Sequence, residues 1–265
     1  MIYNETTNYR VYKKAIIIFG VINMNDKNNL ADEAYSYIKE KIYNFDILPE
    51  QTVSDYLLSK QLNMSRTPIR QALQMLKNDG LLEEIPGASS SYKVSAISVE
   101  EIEDIFEYRE ALELSALTLS WNKHKINKAL TDKLQKLVNI MVEKKNDGET
   151  EAHFDADQNF HSEIINSSGN KRLCNAYDCL SFQLQRLRFL TYLNHSLQDK
   201  ASDEHQEIVN AMINDDYELS INMLKEHLQT SKRDYIAIFN GGALPGNAFK
   251  VFQYLSTKIT TKQQP

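Results

Sequence analysis

From Leu30 to Tyr43 the apolar residues Leu30, Ala34, Tyr37, Ile38 and Ile42 recur with charged residues between them, the 3.6-residue period of an amphipathic helix. Asp46-Ile47-Leu48-Pro49 interrupts that period. Thr52 or Ser54 then stands where an N-cap would open a second helix, with Val53, Leu57 and Leu58 on one side and an end near Gln61. After the turn Leu62-Asn63-Met64, Ser65 is placed to cap a third helix from Arg66 to Lys77. Pro68 falls in its first turn, where a missing N–H costs nothing, and Gly80 closes it at a position free to take positive φ. Leu81 to Ile85, the polar turn Pro86 to Ser91, and Tyr92-Lys93-Val94 read as strand, turn and strand. Three helices followed by a β-hairpin wing are the pattern of a winged helix-turn-helix.

Ser98, with Glu101 three residues later, is a capping-box signature opening a further helix. From Val99 to about Phe239 the period stays helical, broken by polar stretches near 123–128, 146–150, 167–170, 197–202 and 214–217. Roughly six helices of this kind form an antiparallel bundle whose interior can hold a site. The fold class is therefore mainly α, with an N-terminal winged helix-turn-helix over residues 29–96 and an all-α bundle over 97–239. The run Ala15 to Met24 is apolar but shorter than the roughly 20 residues a membrane span requires. Residues 1–28 are expected to lie outside the fold as an N-terminal extension, with Met24 a candidate physiological start, and residues 240–265 form a C-terminal tail.

Composition narrows the function classes. With 42% apolar and 25% charged residues and only eight Gly and five Pro, the chain is long enough and apolar enough for two folded domains. The net charge of -6 means that any contact with nucleic acid must come from a local basic patch and not from the overall field. Cys174 and Cys179 make neither a disulfide framework nor a four-cysteine zinc site, which fits a reducing cytoplasm.

The third helix carries such a patch. Arg66 and Arg70 lie one turn apart on one face, Ser65 and Thr67 can bind phosphates from the helix start, and no acidic residue intrudes before Asp79. Arginine can fork onto a guanine edge in the major groove, while Lys77 suits a point charge toward the backbone. The opposite face, Ile69, Ala72, Leu73 and Leu76, is apolar and packs inward.

The stretch Asp55-Tyr56-Leu57-Leu58-Ser59-Lys60-Gln61-Leu62-Asn63-Met64-Ser65-Arg66-Thr67-Pro68-Ile69-Arg70-Gln71-Ala72-Leu73, followed by Leu76 and Asp79-Gly80-Leu81, resembles the GntR family of transcription regulators. The resemblance implies that Ser65, Arg66, Thr67 and Arg70 contact double-stranded operator DNA. Three departures stand out: Glu50 replaces the usual Gly after Pro49, Gln71 replaces the usual Glu, and the wing Gly87-Ala88-Ser89-Ser90-Ser91 lacks the common Gly-x-Gly and basic tip.

The second domain carries a metal-type constellation. Asp157 and His161 are four apart in a helix and project from one face. His205 and His227 are 22 residues apart across the break at Asn214-Asp215-Asp216, which puts them on consecutive helices able to converge. Three imidazoles and a carboxylate suit a divalent ion such as Zn, Ni, Co, Mn or Fe, with positions left for water or an anionic ligand. Asp157-Gln158-Asn159-Phe160-His161, Ser168-Gly169-Asn170 with Leu173, Glu204-His205 and His227 look like the FCD effector domain of the FadR-like GntR subgroup, in which such residues bind metal. This resemblance covers roughly residues 30 to 239. It implies that Arg109, in Tyr108-Arg109-Glu110-Ala111-Leu112-Glu113, pairs with the carboxylate of the ligand. Because the acyl-CoA binders of the subgroup lack the histidine set, the effector implied is a small organic acid such as a hydroxy acid or sugar acid. His124, His153 and His195 match nothing and are read as surface or packing residues. Asp155 is a decoy for Asp157 on another face of the helix.

The reading that results is a cytoplasmic homodimeric regulator, a repressor and not an enzyme, bound to no membrane. The rival class is a metal-dependent hydrolase fused to a DNA-binding module, since a His/Asp site can activate water; no general base stands beside the ligands. A structural DNA-bridging protein would leave the metal-type residues unexplained.

Overall fold

The computed structural model describes residues 30–43, 45–87, 91–188 and 195–241. The expected N-terminal extension, the wing tip Ala88 to Ser90 and the tail from residue 242 onward lie outside the described residues. The first unit runs α1 (Leu30–Tyr43), β1 (Thr52–Ser54), α2 (Asp55–Gln61), α3 (Arg66–Asn78), β2 (Leu82–Glu84) and β3 (Ser91–Val94). Its core gathers Ile38 and Ile42 of α1, Leu58 of α2, Ile69, Leu73 and Leu76 of α3, and Leu81, Leu82 and Val94 around the sheet. Each such fully buried aliphatic chain contributes about 1.5–3 kcal/mol relative to exposure.

Two turns set the angle at which α3 stands. The carboxyl end of α2 closes with Met64 N–H donating to Ser59 O (3.0 Å) while Asn63 takes φ +52, the left-handed cap that Asn tolerates. The end of α3 closes the same way, with Leu81 N–H to Leu76 O (3.0 Å), Gly80 N–H to Lys77 O (2.9 Å) and Gly80 at φ +73.

The sheet departs from the sequence expectation. Val53 belongs to a third strand and not to the second helix: β1 pairs antiparallel with β3, Val53 opposite Tyr92, and β3 lies between β1 and β2. Ser54 is still extended (φ -112, ψ 131), so the helix begins only at Asp55, and Leu57 is 64% exposed instead of sharing the face of Leu58. A β-branched pair, Thr52-Val53, beside an open strand edge finds ladder hydrogen bonds that a helical start would not supply. Glu50 takes φ +63 while its N–H donates to Val94 O (2.7 Å). This is the position where the family pattern has Gly, and the backbone shows why: an L side chain there is strained.

The second unit is a bundle of α4 (Val99–Asn122), α5 (Lys128–Asn146), α6 (Thr150–Ser167), α7 (Lys171–Leu187), α8 (His195–Ile213) and α9 (Tyr217–Gly241). Ser98 Oγ accepts from Glu101 N–H (3.1 Å), Asn127 Oδ1 from Leu130 N–H (3.1 Å) and Asn170 Oδ1 from Arg172 N–H (3.0 Å), so three of these helices begin on side-chain caps. The break expected at 197–202 is absent. Helix α8 starts at His195 and runs through it, with the polar Lys200 and Asp203 on its exposed side. One core, around Leu117, Leu134, Phe160, Ile208 and Leu228, fills the distal half of the bundle. A second, around Phe106, Ile165, Tyr177 and Leu180, also takes in Phe45 and Ile97 from the first unit and its linker.

The two units are tied at α7. Tyr43 Oη donates to Phe182 O (3.2 Å), and Arg186 Nη2 donates to the linker carbonyls of Ser95 (2.7 Å) and Ala96 (2.5 Å). The Lys39 ammonium stands 3.8 Å from the centre of the Phe182 ring, and burial lowers its pKa to about 8. A Cβ at Gly80 would run into Gln183. Among the described residues no helix is long and apolar enough to cross a membrane.

Candidate metal centre and DNA-facing helix

The amino end of α3 is a surface patch in which Ser65, Arg66, Thr67 and Arg70 are all exposed. Ser65 occupies the N-cap position (φ -66, ψ 160), yet its side chain makes no cap hydrogen bond. Its hydroxyl and the first N–H groups of the helix face outward, the arrangement that favours an anion. Lys77 lies at the other end of α3 and binds Glu84 of β2 at 2.7 Å, so it belongs to a separate spot beside the wing.

The two arginines share one acid. Asp55, at the start of α2, is 2% exposed. Arg66 reaches it through Nη2 (2.7 Å to Oδ1 and 2.9 Å to Oδ2) and Nε (3.2 Å to Oδ2), and Arg70 through Nε (2.6 Å to Oδ2). Burial alone would push the Asp55 carboxyl up, but the two guanidinium groups hold it below the usual carboxylate range. Asp55 takes Nε and one N–H of Nη2 on Arg66 and only Nε on Arg70, so each guanidinium keeps N–H groups not spent on Asp55, on side chains that are half exposed. The acid appears in the family motif, but an aspartate eleven residues before Arg66 carries no periodic signal linking the two.

In the bundle, α6, α8 and α9 bring His161, His205 and His227 together, all buried, with candidate ligand atoms within 4.8 Å of one another. His161 Nε2 is 3.1 Å from His205 Nε2 and 3.3 Å from His227 Nε2. Asp157 Oδ1 is 3.5 Å from His205 Nε2 and 3.9 Å from His161 Nε2. The three imidazoles of the expected set thus converge, and Asp157 stands beside two of them.

Tautomers decide whether a cation fits there. His161 Nδ1 is 2.6 Å from Glu113 Oε2, and His227 Nδ1 is 2.8 Å from Glu204 Oε2. A carboxylate only accepts, so both rings carry the proton on Nδ1 and point an Nε2 lone pair inward. Two lone pairs facing each other at 3.3 Å repel unless a positive charge lies between them. Nitrogen ligands of one four-coordinate zinc-like ion stand about 3.3 Å apart, given bonds of about 2.0–2.1 Å. Burial pushes His161 well below the ordinary imidazole range; burial, reinforced by His227, takes His205 to about 3, and burial, reinforced by Arg109, takes His227 to about 4. Burial would raise Asp157, but the surrounding His161, His205 and Arg109 hold it well below the usual carboxylate range. Neutral imidazoles and an ionised carboxylate are the forms that bind metal. The donor set fits a divalent ion.

Glu113 and Glu204 are candidate functional residues to which the sequence reading did not assign a role. Each stands against the Nδ1 of a candidate ligand imidazole, the place that outer carboxylates take around metal centres. Glu204 is adjacent to His205, and Glu113 lies four residues after Arg109, but an acid on a helix reads first as a solvated face.

Beside the cluster lies a cavity of about 570 Å3, open mouth included, whose walls include Arg109, His153, Asp157, Lys200, His227 and Tyr235. Arg109 reaches it, but as a buried partner of Glu113 (2.7 Å) and not as a free cation. Asp155, the decoy, pairs with Arg188 at 3.4 Å. His124 is exposed in the turn after α4, and the side chain of His195 lies outside the described residues. His153 is buried, with Nδ1 2.9 Å from Met141 O, and it also lines the cavity.

Known proteins match both units. The model of the bacterial regulatory proteins, gntR family, matches residues 30–91, and that of the FCD domain matches residues 104–230. An uncharacterized HTH-type transcriptional regulator of Bacillus subtilis, YdhC, is 23% identical over 210 residues, covering 78% of this chain and 86% of that protein. The HTH-type transcriptional repressor GlaR of Escherichia coli is 24% identical over 209 residues, covering 75% and 92%. Among solved structures, E. coli McbR/YncC shares the fold with a TM-score of 0.63 at 20% identity, covering 79% of this chain and 98% of that one.

Proposed function

Because the chain belongs to the gntR family of bacterial regulatory proteins and carries an FCD domain, and is thus a DNA-binding transcription regulator and not an enzyme, we propose that it is a cytoplasmic homodimeric repressor that changes its grip on operator DNA when a small organic acid binds at a divalent metal. Asp157, His161, His205 and His227 hold the ion, for which Zn, Ni and Mn are candidates. The observation that carries this reading is the pair of inward lone pairs on His161 and His227 beside a cavity that Arg109 also lines. The ion supplies a positive anchor for the carboxylate of the acid. The name of GlaR as a repressor supports the sign of regulation.

At the other end, Arg66 and Arg70 present their remaining N–H groups to guanine edges, Ser65 and Thr67 take phosphates at the start of α3, and Lys77 adds a point charge beside the wing. Two copies address the halves of a pseudo-palindromic site, as a twofold dimer requires. The path between the ends is short. Helix α4 carries Arg109 and Glu113 at the metal end and begins at the linker, whose carbonyls Arg186 of α7 grips. An acid that binds one placement of the DNA-binding units better than another shifts their populations, and by linkage shifts DNA affinity equally.

A gel-shift titration of the full chain on its own upstream region tests the DNA half. Arg66→Ala and Arg70→Ala each weaken binding to the specific fragment, by roughly 1–3 kcal/mol if they read bases; retention of full affinity by both would remove them from the interface.

A further inference from the structure

One buried side chain at the cavity serves neither the metal nor the carboxylate. His153 lies on α6 one turn before Asp157 and two before His161, so all three share a face of that helix. The residue is 2% exposed. Its Nδ1 stands 2.9 Å from the carbonyl oxygen of Met141 on α5. A carbonyl oxygen can only accept, so Nδ1 carries the proton, and in the neutral ring Nε2 keeps a lone pair. Among the described residues no hydrogen bond to that nitrogen is formed, and the space the residue borders is the cavity it shares with Arg109 and Asp157. The carboxylates in the wall already face partners: Glu204 lies 2.8 Å from His227 Nδ1, Asp234 3.8 Å from Lys200 Nζ and Asp157 3.5 Å from His205 Nε2, while the Ser231 hydroxyl also borders the cavity.

We infer that His153 is a specificity-determining residue of the effector cavity, its Nε2 accepting a hydrogen bond from a hydroxyl of the bound acid, so that the ligand class is hydroxy acids. The inference rests on the organic-acid reading and narrows it. A deoxy acid leaves a buried acceptor unsatisfied. A keto acid sets one acceptor against another. The fixed donor bond to Met141 prevents the ring from offering Nε2–H while it stays neutral.

The test is calorimetric titration of the full-length protein loaded with Zn2+, using matched trios: lactate, propionate and pyruvate; 3-hydroxybutyrate, butyrate and acetoacetate; 2-hydroxyglutarate, glutarate and 2-oxoglutarate. In at least one trio the hydroxy acid binds roughly tenfold or more tighter than both partners, the size of one buried hydrogen bond. His153→Phe, which keeps the ring volume and removes the acceptor, closes that gap while metal content stays the same. An unchanged gap in the variant would mean that the metal reads the hydroxyl, and equal binding within every trio would mean that nothing does; either result overturns the role of His153 alone. Failure of every acid to bind overturns the organic-acid reading and this inference with it. Should the phenylalanine variant not fold, the nitrogen-15 resonance of His153 Nε2 in the unaltered protein decides: it moves with the hydroxy acid and not with its deoxy partner, and a resonance that stays still is the contrary result.

Discussion

The exposed arginine patch of α3 and the buried histidine cluster of the bundle are opposite environments built on the same device. At the patch, a buried carboxylate, Asp55, orients two arginines whose tips reach solvent. At the centre, a buried carboxylate, Glu113, orients an imidazole whose tip faces inward, and Arg109 offsets its charge. In both, the acid determines which edge of the nitrogen group is left for a ligand. The difference lies in where the freed edge points. On the surface it is offered to solvent, open to a polyanion; in the interior it is offered to a cluster of other donors that could share one small cation.

The largest effect should come from breaking the interior cluster. His161→Ala or His205→Ala removes a ligand, and elemental analysis of the purified protein should show metal lost; unchanged metal content would rule out the assigned set. Glu113→Gln attacks the orienting acid instead. Metal affinity should fall by roughly 10- to 100-fold, as when outer-shell partners of a ligand histidine are changed, and the newly unpaired Arg109 should lower thermal stability as well. If metal affinity is untouched, Glu113 does not position His161.

On the surface the same operation should cost less. Asp55→Asn loosens both arginines and removes one negative charge. Binding to the operator should weaken by about tenfold, while binding to unrelated DNA strengthens at low salt. A parallel change in both would show that Asp55 only supports the fold. The variant also has a pH signature. Because the arginines depress the folded-state value of Asp55, its contribution is present above the unfolded value of roughly pH 4 and is lost as pH falls through the depressed value. Acid denaturation curves of the asparagine variant should lack that component.

The smallest effect lies away from both regions. Glu50→Gly should raise stability by about 1 kcal/mol, since glycine takes φ +63 without strain; denaturant midpoints measure this, and a drop would mean that contacts of the glutamate side chain outweigh the backbone.

Much of the architecture was legible before the structure. Long periodic segments such as α1 and α3 announce their buried faces, and Ser65 with Pro68 marks where α3 begins. The four metal-type residues were legible from spacing and family likeness. Other features needed the third dimension. A three-residue strand such as β1 has too few positions to show alternation, and the polar text at 197–202 turned out to be part of a continuous helix, with Ser202 buried in it. Asp55 and Glu204 stood inside the family-like stretches and Glu113 shortly after Arg109, but none was marked as an orienting acid, because nothing in a linear spacing tells a solvated carboxylate from one turned inward against a cation. His153 was set aside for a related reason: its place four residues before Asp157 was visible, but the cavity it borders was not.

The central claim is that metal, acid and DNA are linked through one chain, and an anisotropy titration of labelled operator tests it most directly. The full-length protein is compared with metal loaded and with metal removed by chelator, each with and without the tightest-binding hydroxy acid. The account predicts that the acid changes operator affinity by roughly 5- to 150-fold in the metal-loaded protein and not at all after chelation. An equal shift in both forms, or no shift in either, would contradict it.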